Sequence, residues 1–271
     1  EDPYFNALQL KYANAITCHK SQGGQWGCVF IDNPFWQDEL TMLNEVIGYS
    51  RKHLMKAEGH AYISRAEDII NEHGLNAEVA AATTWLNCAT ALRAFGEPAD
   101  SLRFFGMTEE IYSQKMDPFD YRYASLYNNM SLVFSDTGDY ERAISLASKA
   151  ADILITDEAS GAELAATHVT LAVISAKQGA VDAGRTGEGA RDADDMKASA
   201  DDRSYEPASD PAVRGYVDKA MALLDPEGEL PDQYYAYMCM TNAKSLAQLG
   251  FADESARLNG RGRDFYERLR N

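Results

Sequence analysis

Bulky, small and apolar positions recur along the chain in a register that ends each time on glycine. Trp85, Ala89 and Leu92 lead to Gly96; Tyr127, Ser131 and Phe134 lead to Gly138; His168 and Ala172 lead to Gly179. The three glycines lie 42 and 41 residues apart. A bulky residue and a small one spaced four apart share one face of a helix. The small residue marks a point where a second helix can cross closely, and the glycine supplies the positive φ that ends the first helix. After Gly138 the chain continues Asp139-Tyr140-Glu141-Arg142-Ala143, then Ala147 and Ala150, with small residues at helical spacing for the returning helix. The pattern predicts an all-α solenoid of antiparallel helix hairpins through residues 37–184 and 211–269. In the last frame Leu246 and Gly250 fit. Ser255 and Gly262 stand there in place of the usual alanines, which predicts looser packing of the final helix.

Two stretches interrupt the period. Gly250 follows Gly179 by 71 residues, and Ala220 follows Ala150 by 70, about 30 more than one period. The excess fits Arg185–Asp210, where eight acids and four bases surround only Met196 and Tyr205 as large apolar residues. Such a segment buries little apolar area and is expected to be an acidic insertion, a solvated loop or loosely held helix, at 185–210. Upstream, Gln37–Lys56 and His60–His73 read as another pair, with Ala66-Glu67-Asp68-Ile69-Ile70 echoing Ala150-Ala151-Asp152-Ile153-Leu154. Its junction, Met55–Gly59, departs from the repeat spacing, as terminal repeats often do. Residues 36–271 are therefore expected to form the solenoid, and residues 1–35 a short non-helical or β-prone leader that is not an independent domain.

The middle frame resembles a tetratricopeptide repeat. Its spacing near 42, rather than about 34, together with Leu126-Tyr127-Asn128-Asn129-Met130-Ser131-Leu132-Val133-Phe134, looks most like the longer repeats of kinesin light chains and of many bacterial scaffold and sensor proteins. The resemblance implies a protein or peptide interaction scaffold that binds an extended partner in a concave groove lined by the first helix of each hairpin. In such repeats the position nine before the glycine faces the peptide; here it is Asn87, Asn129, Thr170 and Thr241. The paired asparagines resemble the ladder that holds a peptide backbone, since an amide both donates and accepts hydrogen bonds. Arg93, Asn128, Lys177 and Lys244 fall on the same helix faces, and a weakly basic groove favours a partner with carboxylates. The same residues also fit a plainer reading, with the asparagines as repeat consensus and the cations as scattered surface charge.

A second resemblance covers residues 7–32. Thr17-Cys18-His19-Lys20-Ser21-Gln22-Gly23 is similar to the late motor motif of superfamily-1 DNA helicases, in the branch of the exodeoxyribonuclease V alpha subunit. It implies Thr17, His19, Lys20, Gln22 and Gly23 as contacts that couple nucleotide state to a nucleic-acid strand. A Gly-rich loop beside Lys20 suits a polyanion. No Gly-x4-Gly-Lys-Ser/Thr accompanies it, and about 30 residues of sheet leave their own strand edges unpaired. Helicase activity is therefore not expected of this chain by itself. Alternatively, Ala13–His19 and Trp26–Asp32 form a hairpin turning at Gly23-Gly24, which would set Cys18 opposite Cys28 and permit a disulfide.

Composition narrows the field. A formal net charge of −17 over 271 residues argues against a general nucleic-acid surface. No apolar run has membrane-spanning length, so no membrane contact is expected, and no secretory signal opens the chain. The chain starts at Glu1 rather than Met, which leaves room for a removed upstream segment. Cys18, Cys28, Cys88 and Cys239 lack CxxC spacing, and reduced thiols in a cytoplasmic protein are expected. The five histidines have no HExxH spacing, and His168 occupies a packing position. Asp194-Asp195 and Asp201-Asp202 lack the turn glycine of a calcium loop. No enzyme activity, cofactor or metal is expected, and the oligomeric state is open. Besides the interaction scaffold, two functions fit: a sensor or docking module of a longer signalling protein, since Asp253–Asn271 has no clear helix stop, and a fragment of an ATP-dependent DNA helicase.

Overall fold

The structure is a computed structural model and describes residues 36–156, 160–189, 205–225 and 228–269. The leader motif, the possible Cys18–Cys28 pairing and most of the acidic insertion lie outside the described residues. By backbone contacts the chain divides into Glu1–Glu39 and Leu40–Asn271, and the description below concerns the second unit. Its described residues are helical, with no strand among them.

Among the described residues ten helices follow one another: α1 Trp36–His53, α2 Lys56–Glu72, α3 Val79–Ala94, α4 Pro98–Lys115, α5 Tyr121–Asp136, α6 Tyr140–Leu154, α7 Gly161–Gly189, α8 Pro211–Leu224, α9 Gln233–Gln248 and α10 Ala252–Arg268. A 3-10 turn, Pro207–Ser209, precedes α8. From α3 onward they pair as α3/α4, α5/α6, α7/α8 and α9/α10. The first helices of successive pairs also touch: α3 meets α5, α5 meets α7, and α7 meets α9.

The hairpins recur because their turns have the same chemistry. Gly138, at φ 83°, follows α5; its N–H donates to the Ser135 carbonyl, and the Asp139 N–H donates to the Phe134 carbonyl. This Schellman arrangement closes the last turn of the helix and needs a left-handed residue at its centre. The Gly96 and Gly250 turns repeat it, through Glu97 N–H to Leu92 and Phe251 N–H to Leu246. Asp139 then caps α6 by accepting from the Arg142 N–H, and Asp120, Asp210 and Asp232 cap α5, α8 and α9 in the same way.

The crossing points are where the small residues lie. Ala89, Ser131, Ala172 and Ala243, seven positions before each frame's glycine, are all fully buried. So are Ser101 and Ala143, which lie five residues after Gly96 and Gly138. Ser101 Oγ donates to the Ala89 carbonyl at 2.7 Å, a buried bond that joins α4 to α3. Between crossings the space is filled by Trp85, Phe104, Phe105, Leu126, Leu171 and Ile174. The echo in the first pair also holds, since Ala66, Ile69 and Ile70 are buried just as Ala150, Ile153 and Leu154 are.

Three sequence expectations need correction. The spacing predicts a helix stop at Gly179, yet α7 runs through it to Gly189 and Gly179 has no positive φ. A Cβ there would lie 2.5 Å from the Tyr205 hydroxyl and 2.6 Å from its ring, so this glycine makes room for an aromatic. Tyr205 also donates from its hydroxyl to Asp210 at 2.8 Å, and with Ala208 it packs on the α7–α10 core; the end of the acidic insertion is therefore docked. Second, Gly262 does not loosen α10. Its absent Cβ would stand 2.9 Å from the Ala236 carbonyl and 2.5 Å from Met240 Cγ, so the glycine permits a closer approach of α10 to α9. Third, the Met55–Gly59 junction is mostly helix. α1 and α2 turn at Leu54, which takes φ 54° without being glycine, and Gly59 lies within α2 against the Phe95 ring.

Candidate interaction surface

Asn87 and Asn129 are set on neighbouring first helices, α3 and α5, at equivalent distances from Gly96 and Gly138. Both are half-buried. Asn129 Nδ2 donates to the Ser125 carbonyl of its own helix at 2.8 Å, which holds the amide in place and leaves its Oδ1 as an open acceptor. Asn87 makes no side-chain hydrogen bond within the described residues and keeps both functions of its amide. Thr170 on α7 is half-buried and Thr241 on α9 exposed, continuing the row. Asn128 differs: its Oδ1 is enclosed without a donor, so this part of its amide faces packing instead of solvent.

The cations on this face are not equivalent. Arg93 Nε donates to Asp136 Oδ2 at 2.8 Å, and Lys177 Nζ reaches Asp136 Oδ1 at 3.2 Å and Ser135 Oγ at 3.3 Å. One carboxylate on α5 thus ties together α3 and α7, the helices on either side of it. Lys244, on α9, is exposed. Asp136 was not singled out by the sequence pattern, although a signal was present. It stands two residues before Gly138, with Arg93 and Lys177 nearly one repeat away on either side. It also ends α5, where the negative pole of the helix dipole disfavours a carboxylate.

Elsewhere on the first helices, Trp85 is buried against Phe104, with ring centroids 5.3 Å apart, and Tyr127 stacks on Tyr123 while its hydroxyl donates to Glu109. His168 stacks on Tyr216 of α8 at 6.4 Å, and its Nδ1 is enclosed without a partner. Burial, and next the nearby Lys219 charge, lower its pKa, which keeps the ring neutral near pH 7. It is a packing residue. Cys88 and Cys239 are buried free thiols, pushed up by desolvation, Cys239 to about 11. Among the described residues no group of acids, histidines and cysteines has the arrangement of a metal site, and no helix is long and apolar enough to cross a membrane.

Comparison with known proteins agrees with the repeat fold. Residues 80–156 match the tetratricopeptide repeat. They span α3 to α6, the two hairpins that carry both asparagines, Arg93 and Asp136. Two crystal structures of a Podosopora anserina putative kinesin light chain with nearly identical TPR-like repeats, one of them a single-substitution form, superpose with TM-scores of 0.51 and 0.52. In each case 88% of this chain and 99% of the other are covered, at 10% sequence identity. At that identity the likeness is one of fold: the chain is a tetratricopeptide-like α-solenoid. Residues 12–45 match the UvrD-like helicase C-terminal domain, a match that runs from the leader into α1. No curated protein matches the sequence.

Proposed function

We propose that the chain is a protein-interaction scaffold that binds an extended segment of a partner protein across its first-helix face, without enzymatic activity of its own. The observation that carries this reading is the pair Asn87 and Asn129, placed alike on adjoining helices with amide groups open to a ligand. A main chain laid across α3 and α5 would meet a donor and an acceptor at a helix-to-helix interval, whatever its own side chains. Thr170 and Thr241 extend the row over α7 and α9. Arg93, Lys177 and Lys244 would add contacts to acidic groups of the partner. By contrast, the enclosed Oδ1 of Asn128 makes it a secondary contact at most.

The test is a double Asn87→Ala, Asn129→Ala variant, titrated by calorimetry against the partner recovered with the wild-type chain. Each truncated amide should cost about 1 kcal/mol of binding, so the pair should weaken affinity by roughly thirty-fold. The melting temperature should barely change, because neither side chain bonds to another helix. Unchanged affinity with an intact fold would remove the asparagine row from the binding surface.

A further inference from the structure

The position of Asp136 assigns the first-helix face a property beyond peptide capture. Asp136 is 41% exposed at the side chain, Arg93 31% and Lys177 43%, so all three are within reach of a ligand while both cations pair with Asp136. The carboxylate has no helical reason to be there. It occupies the last residue of α5, where the dipole works against it, and the corresponding positions two before the other frames' glycines are Ala94, Lys177 and Gln248. What makes the position tolerable is the pair of cations from α3 and α7. Ion pairs this exposed are weak and exchange readily with other anions in water.

We infer that Asp136 is an internal competitor for acidic side chains of the partner: it fills a carboxylate subsite formed by Arg93 and Lys177 and so sets how acidic a segment must be to bind there. The inference rests on the reading of the first-helix face as the binding surface. Arg93 and Lys177 belong to helices on opposite sides of α5 and converge on one point, which is a two-cation site once Asp136 is moved aside. With Asp136 in place, an arriving carboxylate meets two cations and a like charge; without it, the two cations alone. A ligand with a single acid would then gain little over a neutral one, whereas clustered acids could displace Asp136. The site thereby selects against sparse charge.

The probe is a blocked tetra-aspartate peptide, with blocked tetra-asparagine as its neutral counterpart. Each is titrated into isotope-labelled full chain at low salt while the Arg93 Nε–Hε resonance is followed by NMR. Asp136→Asn preserves the shape and removes the charge. It should bind tetra-aspartate about five-fold more tightly than wild type, the value of one like charge removed at close range in water. The gain should vanish at high salt and in Asp136→Asn combined with Lys177→Gln, which keeps the Arg93 reporter. Tetra-asparagine should not distinguish the variants. Asp152→Asn on α6 changes the net charge equally and should leave tetra-aspartate affinity unaltered. Equal or weaker tetra-aspartate binding by Asp136→Asn would overturn the inference, as would an equal gain in Asp152→Asn. These outcomes are separable from the asparagine test. Loss of partner binding in the Asn87, Asn129 variant with no gain in Asp136→Asn keeps the amide row and rejects the competitor; the reverse keeps the acid subsite and rejects the amide row.

Discussion

Single residues decide where this chain turns. Gly138 is the sharpest case, since its φ of 83° and its Schellman bonds leave a side chain no comfortable geometry, although space around it is open. A Gly138→Ala substitution should therefore cost about 1–2 kcal/mol through backbone strain alone, seen as a lower urea midpoint with an unchanged slope. No loss of stability would mean that the turn tolerates an ordinary residue. Residue-level chemistry was also where the sequence pattern was most informative. Trp85, Ala89, Ser131 and Ala172 are buried where the register puts them, because side-chain size at fixed helical spacing is a local property. Asp136 was missed for the opposite reason. Its partners lie 43 and 41 residues away, and only the stacked helices bring them together.

At the scale of helices, glycine has two meanings that sequence position does not separate. Gly96 and Gly138 end helices, whereas Gly59, Gly179 and Gly262 lie inside them to admit a neighbour. The difference is set by what packs outside: Phe95 on Gly59, Tyr205 on Gly179, Met240 and the Ala236 carbonyl on Gly262. A missing side chain therefore reads as weakness until its neighbour is known. Two helical glycines give the contrast a test. Gly215 in α8 has nothing within 4 Å of its would-be Cβ, so Gly215→Ala should stabilise by about 0.5–1 kcal/mol through helix propensity. Gly262→Ala gains the same propensity, but its Cβ meets backbone at 2.9 Å; overpacking of this kind costs roughly 1–3 kcal/mol, so the net change should be a loss. Paired denaturation curves read both. A stabilised Gly262→Ala would mean that α9 and α10 are not held at this distance.

Across the molecule, repetition made the architecture legible before any contact was known. Four hairpins with one turn chemistry or one crossing pattern can stack in few other ways, and the 15 residues at 190–204 do not break the sequence of pairs, because α8 still packs on α7. The leader offers no such repetition, and the helicase-like match at 12–45 stands apart from the solenoid's own logic. The proposed binding surface is the least legible part, because amide groups and exposed cations look alike whether they serve a ligand or only water. The most direct test is backbone chemical-shift mapping of the labelled full chain against the partner recovered with it. The account predicts shifts concentrated on the first helices α3, α5, α7 and α9, centred on Asn87 and Asn129 and reaching Arg93 and Lys177. Shifts confined to the second helices α4, α6, α8 and α10, or to residues 12–45, would contradict it.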